Sequence, residues 1–323
     1  MSLIEVEGLG VSFWSRGARV RVLNDVSFQV EPGEIVGVLG ESGSGKSVTA
    51  AAIMGLIEQP PGRIEGGRIL FKGDDLLAMT RRRHRALCGE SLAMVFQDAL
   101  AALNPVQPVG RQIAEGFLIH GLADRAAAHA KAVDLMTRVG IANAGERARA
   151  YPHQFSGGMR QRAMIAMAIA LRPALIIADE PTTALDVTVQ AQIVDLLRTI
   201  RDESGSAILL ITHDLGVIAE TADRALVMYA GRVVEEASAA ALFDTPHHPY
   251  TRGLLTSRPR LGDGRAALEP IPGTPPDPAR PPRGCAFHPR CPLAIDRCRV
   301  EAPALRPVGE GRAACHRAEE VSA

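Results

Sequence analysis

The chain has 323 residues, enough to bury one large core or two smaller ones, and its 36 basic and 36 acidic residues cancel. No strong field therefore calls for nucleic acid or an acidic partner, and an N-terminus without a basic stretch followed by an apolar run predicts no signal peptide. Aromatic residues make up only 4% and no apolar run approaches the roughly 20 residues that span a bilayer, so a soluble, cytosolic α/β chain is expected.

In chain order, "LIEVEGLGVSF" and "VLNDVSFQV" alternate like strands, separated by a loop "WSRGARVRV" and followed by an "EPGE" turn. "IVGVLG" (35–40) is a short apolar strand running into a glycine-rich loop, and "KSVTAAAIMGLI" has helical composition. "GGRILFKG" (66–73) reads as another strand. The run Arg81-Arg82-Arg83-His84-Arg85 reads as a solvated face, and Cys88 as an inert packed thiol. From about 107 to 171 the spacing turns helical, in "GRQIAEGFLIHGL", "RAAAHAKAVDLMTRVGI" and "GGMRQRAMIAMAIAL". Strand and helix then alternate: "ALIIAD" (174–179), a helix from about 187 to 203, "AILLIT" (207–212), a further helix, and a hairpin around Ala230-Gly231. Such alternation predicts a mainly parallel sheet covered by helices. Composition changes near 245; residues 270–282 hold seven prolines and predict an extended segment, and a cysteine-rich tail follows.

"GESGSGKS" (40–47) matches the G-x-x-x-x-G-K-[ST] phosphate loop and lies between a predicted strand and helix. Glycines let backbone N–H groups converge on phosphates, and the helix N-terminus adds partial positive charge. Gly40, Glu41, Ser42, Gly43, Ser44, Gly45, Lys46, Ser47 and Val48 are the candidate nucleotide contacts, with Lys46 reaching the β- and γ-phosphates and Ser47 ligating Mg²⁺. "ALIIADEP" buries a strand and delivers Asp179 at its carboxyl end as a Mg²⁺ anchor, with Glu180 next to it to polarise an attacking water. The pattern is that of a P-loop ATPase using ATP and Mg²⁺.

"YPHQFSGGMRQR" (151–162) resembles the signature motif of ATP-binding-cassette (ABC) ATPases. The remaining family motifs follow in order: Gln97 in "VFQD" as Q-loop, Asp186 in "TTALD" as D-loop and His213 in "ITHD" as switch histidine. Met159 stands where the signature usually has Gln, and no serine precedes the Ala-Leu-Asp of the D-loop. The resemblance implies a P-loop ABC ATPase fold: a mainly parallel sheet core, an antiparallel β subdomain and a helical subdomain at about 98–160. It also implies that two subunits sandwich ATP between the phosphate loop of one and Ser156, Gly157 and Gly158 of the other, with Asp186 at that junction. Glu180 and His213 would serve hydrolysis, Gln97 would sense Mg²⁺, and Phe13, preferred to Trp14 because it continues the strand alternation, would stack on adenine.

"QDALAALNPV", "DEPTTALDVTVQAQI", "HHPYTRGLL" and "IPGTPPDPARPPRGCAFHPRCPLA" resemble the ATP-binding subunits of oligopeptide and dipeptide importers, a group that includes nickel and glutathione importers. That implies an ATPase domain over 1–245 and a C-terminal extension over 246–323. It further implies a second ATPase subunit, two membrane permeases, an extracytoplasmic solute-binding protein, no nucleic acid, and a peripheral place on the cytoplasmic face of the bacterial inner membrane. Rival readings are a soluble ABC ATPase of DNA repair, chromosome organisation or translation, which typically carries two cassettes, coiled-coil insertions or basic arms, and a P-loop kinase, which leaves the signature motif unexplained. Cys285, Cys291, Cys298 and Cys315 have the spacing C-x5-C-x6-C-x16-C. Four thiolates suit a [4Fe–4S] cluster or a zinc ion; the wide spacing favours the cluster, free thiols remain open, and disulfides do not suit the cytosol. His288 and His316 lie nearby without being needed as ligands.

Overall fold

The architecture is that of a computed structural model describing residues 2–15, 17–183, 185–257 and 270–321. Its strands begin with β1 (Ile4–Ser15), β2 (Ala18–Val30), β3 (Ile35–Leu39), β4 (Gly62–Phe71), β5 (Asp74–Asp75) and β6 (Leu92–Val95). β7 (Leu175–Asp179), β8 (Ala207–Ile211), β9 (Arg224–Tyr229), β10 (Arg232–Ser238), β11 (Arg306–Val308) and β12 (Gly311–Ala313) follow. The chain divides into two compact units that interleave along the sequence. One comprises Ile4–Gln29, Ile35–Asp74 and Thr212–Ala323; the other comprises Met1–Leu3, Val30–Glu34 and Asp75–Ile211.

In the first unit β1 lies between β2 and β4, antiparallel to β4 in a register running from Ile4 opposite Phe71 to Phe13 opposite Gly62. A register shift between Glu7 and Gly10 moves the buried set from Ile4 and Val6 to Leu9 and Val11, because one extra residue turns every later side chain to the other face. The expected loop "WSRGARVRV" is mostly strand, with β2 beginning at Ala18 and Arg16 outside the described residues. Its alternation of arginine and valine is a strand pattern, and Arg19 pairs with Glu65 at 3.0 Å and donates to Ser12 at 3.1 Å. β3, buried throughout, runs parallel to β9. β9 and β10 form the expected hairpin, and Ala230 (φ 47°) and Gly231 (φ 76°) supply its two left-handed turn residues.

The tail belongs to this unit. Residues 270–287 form neither helix nor strand, as the prolines predict, but the tail then builds more than was expected. β12 pairs with β10, β11 pairs with β12, and Val308, Ala313 and Ala318 form a small core against which Cys315 packs. The residues beyond the prolines alternate apolar and polar around Gly309, and so extend a strand edge.

The second unit holds β6, β7 and β8 in parallel register. β7 and β8 are buried along their whole length, the near-continuous apolar run that a two-sided parallel strand requires. Helices Val109–Ile119, Arg125–Arg138, Gly157–Ile169 and Val187–Ser204 account for the helical spacing. Helix Arg81–Leu87 buries none of its residues, as a solvated basic face should. Among the described residues no helix is long and apolar enough to cross a membrane.

Candidate functional site

The first unit carries the phosphate loop. β3 ends at Leu39 and helix Lys46–Ile53 begins seven residues later, so the loop points backbone N–H groups at whatever lies before the helix. Gly40, Gly43 and Gly45 have φ of 148°, 80° and 106°, values that L side chains resist. A Cβ on Gly40 would fall 2.3 Å from the Met228 carbonyl oxygen and 2.7 Å from Ser44 Oγ; one on Gly45 would fall 2.6 Å from Leu23 Cδ2. Lys46 is buried, and its ammonium donates to the carbonyl oxygens of Gly40 (2.7 Å) and Glu41 (3.1 Å). Ser44 Oγ is buried and has no hydrogen-bond partner among the described residues, whereas Ser42, Gly43 and Ser47 are exposed at the rim and Val48 is half-buried. A glycine cradle, a buried cation and an orphaned hydroxyl fit a polyphosphate with its metal.

Elsewhere in the same unit, Phe13 is half-buried near the end of β1, against Gly62, while Trp14 is 53% exposed. His213 is exposed on a turn fixed on both sides: Thr212 N–H donates to Val38 O at 3.3 Å, and Asp214 caps helix Leu215–Thr221 through Gly216 N–H at 2.8 Å.

The second unit gathers the acidic pair. Asp179, 5% exposed, ends β7. Glu180 follows with φ 45°, a left-handed conformation unusual for a non-glycine residue, held by its N–H donating to Ile211 O at 2.8 Å. Its Oε2 accepts from Thr183 Oγ1 at 2.8 Å and from Gln97 Nε2, 83 positions away in the chain, at 3.2 Å. Ser156 caps helix Gly157–Ile169 by accepting from Met159 N–H at 3.3 Å, and Ser156 and Gly157 are exposed. Gly158 is packed: a Cβ there would meet Val189 Cγ1 at 2.8 Å. Asp186 caps helix Val187–Ser204 by accepting from Val189 N–H at 2.9 Å.

In the tail, Cys285, Cys291, Cys298 and Cys315 line one small cavity together with His248, His288 and His316. Burial raises the Cys285 thiol and pushes Cys291 and Cys315 up to about 11, so without a cation nearby they stay protonated. Among the described residues no three His, Cys, Asp or Glu side chains form a group able to hold a metal ion, so the expected ligand shell is not drawn together. Cys88 stands apart, its thiol also raised by burial, as an inert thiol should be.

Sequence reasoning missed three contacts. Thr183 was not singled out, although a hydroxyl three residues after Glu180 is a local signal. Tyr250 appeared only inside "HHPYTRGLL"; its hydroxyl accepts from Glu41 N–H at 2.8 Å. Arg290, between two cysteines, reaches Glu41 across 249 positions, for which one sequence offers no signal.

Comparison with known proteins agrees with this layout. Residues 23–183 match the family model for the ABC transporter, and residues 234–298 match that for the oligopeptide/dipeptide transporter C-terminal region. The chain is 48% identical over 317 residues to the dipeptide transport ATP-binding protein DppD of Escherichia coli K12, covering 98% of this chain and 97% of that one. It is 50% identical over 321 residues to a probable peptide ABC transporter ATP-binding protein of Sinorhizobium fredii, covering 99% and 96%. Among solved structures, a dimeric ATP-binding cassette with ADP and Pi superposes with TM-score 0.66 at 24% identity over 73% of this chain and 98% of that one, a likeness of fold. A Clostridium perfringens protein described as part of an ABC transporter complex gives 0.63 at 26% identity, over 75% and 90%.

Proposed function

The chain belongs to the ABC transporter family, as an ATP-hydrolysing member with the oligopeptide/dipeptide C-terminal region, and from that premise we propose that it energises import of dipeptides or oligopeptides. The observation that carries the substrate class is near-full-length similarity to proteins named for peptide transport, tail included. Lys46 and the N–H groups of Gly43–Val48 hold the β- and γ-phosphates, and Phe13 stacks on adenine. Ser47, Asp179 and Gln97 would hold Mg²⁺, which would supply charge neutralisation at the phosphates. Glu180 orients the attacking water as general base, and His213 contacts the γ-phosphate. The helix start at Ser156, Gly157 and Gly158, exposed at its first two residues, faces with Asp186 the ATP of a second ATPase subunit, so closure depends on the nucleotide.

In this reading residues 1–245 are the ATPase domain, with about 98–160 docking on two permease subunits, and 246–323 the extension. Residues 258–269 of that extension lie outside the described part. A solute-binding protein delivers peptide to the other face of the bacterial inner membrane. The four tail cysteines are assigned to a [4Fe–4S] cluster, with one zinc ion as the alternative; the support is the cavity they line together and a sequence spacing wider than paired zinc knuckles use, while their side chains as they stand do not form a closed ligand shell. When bound, such a cluster would cross-link the segments that carry its ligands.

The test is reconstitution with the permeases and second ATPase in liposomes. Labelled dipeptide should accumulate only with ATP and peptide-loaded binding protein. Uptake of Ni²⁺ or glutathione without peptide would overturn the substrate class, and no ATP hydrolysis by the assembled complex would overturn the rest.

A further inference from the structure

The phosphate loop contains an acid. Glu41 follows Gly40, and its own carbonyl oxygen accepts from the Lys46 ammonium at 3.1 Å, so its carboxylate belongs to the loop that cradles phosphate. An uncompensated negative charge there repels a polyphosphate. The compensation comes from the tail. Arg290 sits in the turn His288–Arg290 next to Cys291, with its side chain 5% exposed. Its Nη1 donates to Glu41 Oε2 at 2.6 Å and its Nη2 to Oε1 at 3.0 Å, a bidentate pair. Nε donates to Pro272 O at 2.9 Å and Nη1 also to the Tyr229 hydroxyl at 3.3 Å, so the guanidinium is locked from behind. It lies 5.8 Å from the Tyr229 ring and 5.9 Å from the Phe287 ring. Tyr250, tilted against the rings of Tyr229 and Phe287, accepts from the Glu41 amide at 2.8 Å, fixing its backbone as well.

We propose that Arg290 is a positioning residue for nucleotide binding: it neutralises Glu41 and fixes its carboxylate, so that the C-terminal tail sets the affinity of the phosphate loop for Mg·ATP. This rests on the nucleotide reading of the loop but not on what the cysteines hold. Lysine would supply charge without the planar fork, and it is Arg290, in the tail, that carries both bonds to the Glu41 carboxylate, which gives the tail a part in the ATP site. Without Arg290, Glu41 is left as a charge beside the phosphates, and affinity falls on the order of ten-fold, the effect of one added like charge at short range in a partly screened site. A side chain that merely held the tail in place would give a loss that does not depend on the charge of Glu41.

The experiment measures binding of a fluorescent ATP analogue with Mg²⁺ to the purified full-length chain, with thermal melting in parallel. Wild type should bind; if it does not, the nucleotide reading fails and the failure is separate from this proposal. Arg290→Ala should bind about ten-fold more weakly, and Glu41→Gln/Arg290→Ala should recover most of the loss. A double variant as weak as Arg290→Ala, or an Arg290→Ala variant with wild-type affinity, overturns the proposal. If Arg290→Ala does not fold, Glu41→Gln alone decides, since it removes the acid while keeping the cation. Tighter binding supports the proposal, and unchanged or weaker binding refutes it.

Discussion

Replacing Thr183 by valine removes a hydroxyl and little else. Thr183 Oγ1 donates to Glu180 Oε2 at 2.8 Å, and Gln97 Nε2 reaches the same oxygen at 3.2 Å, so the shorter of these two bonds is lost. A hydrogen bond to a charged acceptor contributes about 1.5–3 kcal/mol, and the lower end applies here because Gln97 is exposed and Glu180 only half-buried. Since about 1.4 kcal/mol is a factor of ten in rate, Thr183→Val should lower kcat about ten-fold. The bond aims a group used in the chemical step rather than in holding ATP, so KM should stay within about two-fold. Steady-state phosphate release at varied Mg·ATP separates the two constants. Thr183→Ser keeps the hydroxyl and should restore most of kcat. An unchanged kcat in Thr183→Val, or a Thr183→Ser variant equally slow, would show that the hydroxyl does not position Glu180.

His248 is buried, its Nδ1 accepts from Tyr250 N–H at 3.0 Å, and burial lowers its pKa to about 3. The neutral ring therefore stabilises the fold above the ordinary value of 6.5, and that stability is lost as pH falls towards 3. At pH 5.5 the loss is about 1.4 kcal/mol relative to neutrality, and urea titrations should show His248→Asn, which keeps a capping acceptor, free of this component. Gly45→Ala forces a Cβ to 2.6 Å from Leu23 Cδ2 at φ 106°, so nucleotide affinity should fall at least about ten-fold in equilibrium binding; normal affinity would mean the loop relaxes freely. After anaerobic purification, wild type should contain about four irons per chain with absorption near about 400 nm, and Cys298→Ser should lose most of both. One zinc per chain, or no metal, would end the cluster assignment.

Much of this was legible because backbone chemistry writes itself locally. A glycine-rich loop after the buried strand "IVGVL", and an acid pair after "LIIA", each declare themselves within a few residues, and both stand where expected. Two short-range features misled. "WSRGARVRV" looked like a loop because its arginines were read as polarity rather than as one face of an alternating strand. β6, four residues between Ser91 and Phe96, was too short to signal its period. What was not legible at all is long-range pairing. The motifs put Gln97 and Glu180 at one site without showing that they would share a hydrogen bond, and the meeting of Arg290 with Glu41 depends on which loops the sheet brings together, of which one sequence carries no mark.

The interleaved chain gives those long-range pairs a consequence for folding. The unit with the phosphate loop is completed by residues after 212, including β12 on the edge of β10. Glu235, on β10, accepts from the N–H groups of His247 and His248, both with the carboxylate buried, and its pKa is raised chiefly by that burial. A chain ending at 245 would lack both donors, leaving Glu235 a desolvated acid without them, and would expose the β10 edge that β12 covers. Glu41 would lose Tyr250 and Arg290 in the same cut. Composition marks a boundary near 245, yet the hydrogen bonds run across it. The phosphate loop reaches its final electrostatic environment only after about nine-tenths of the chain has been made, through Arg290, which puts tail docking late in the formation of the ATP site.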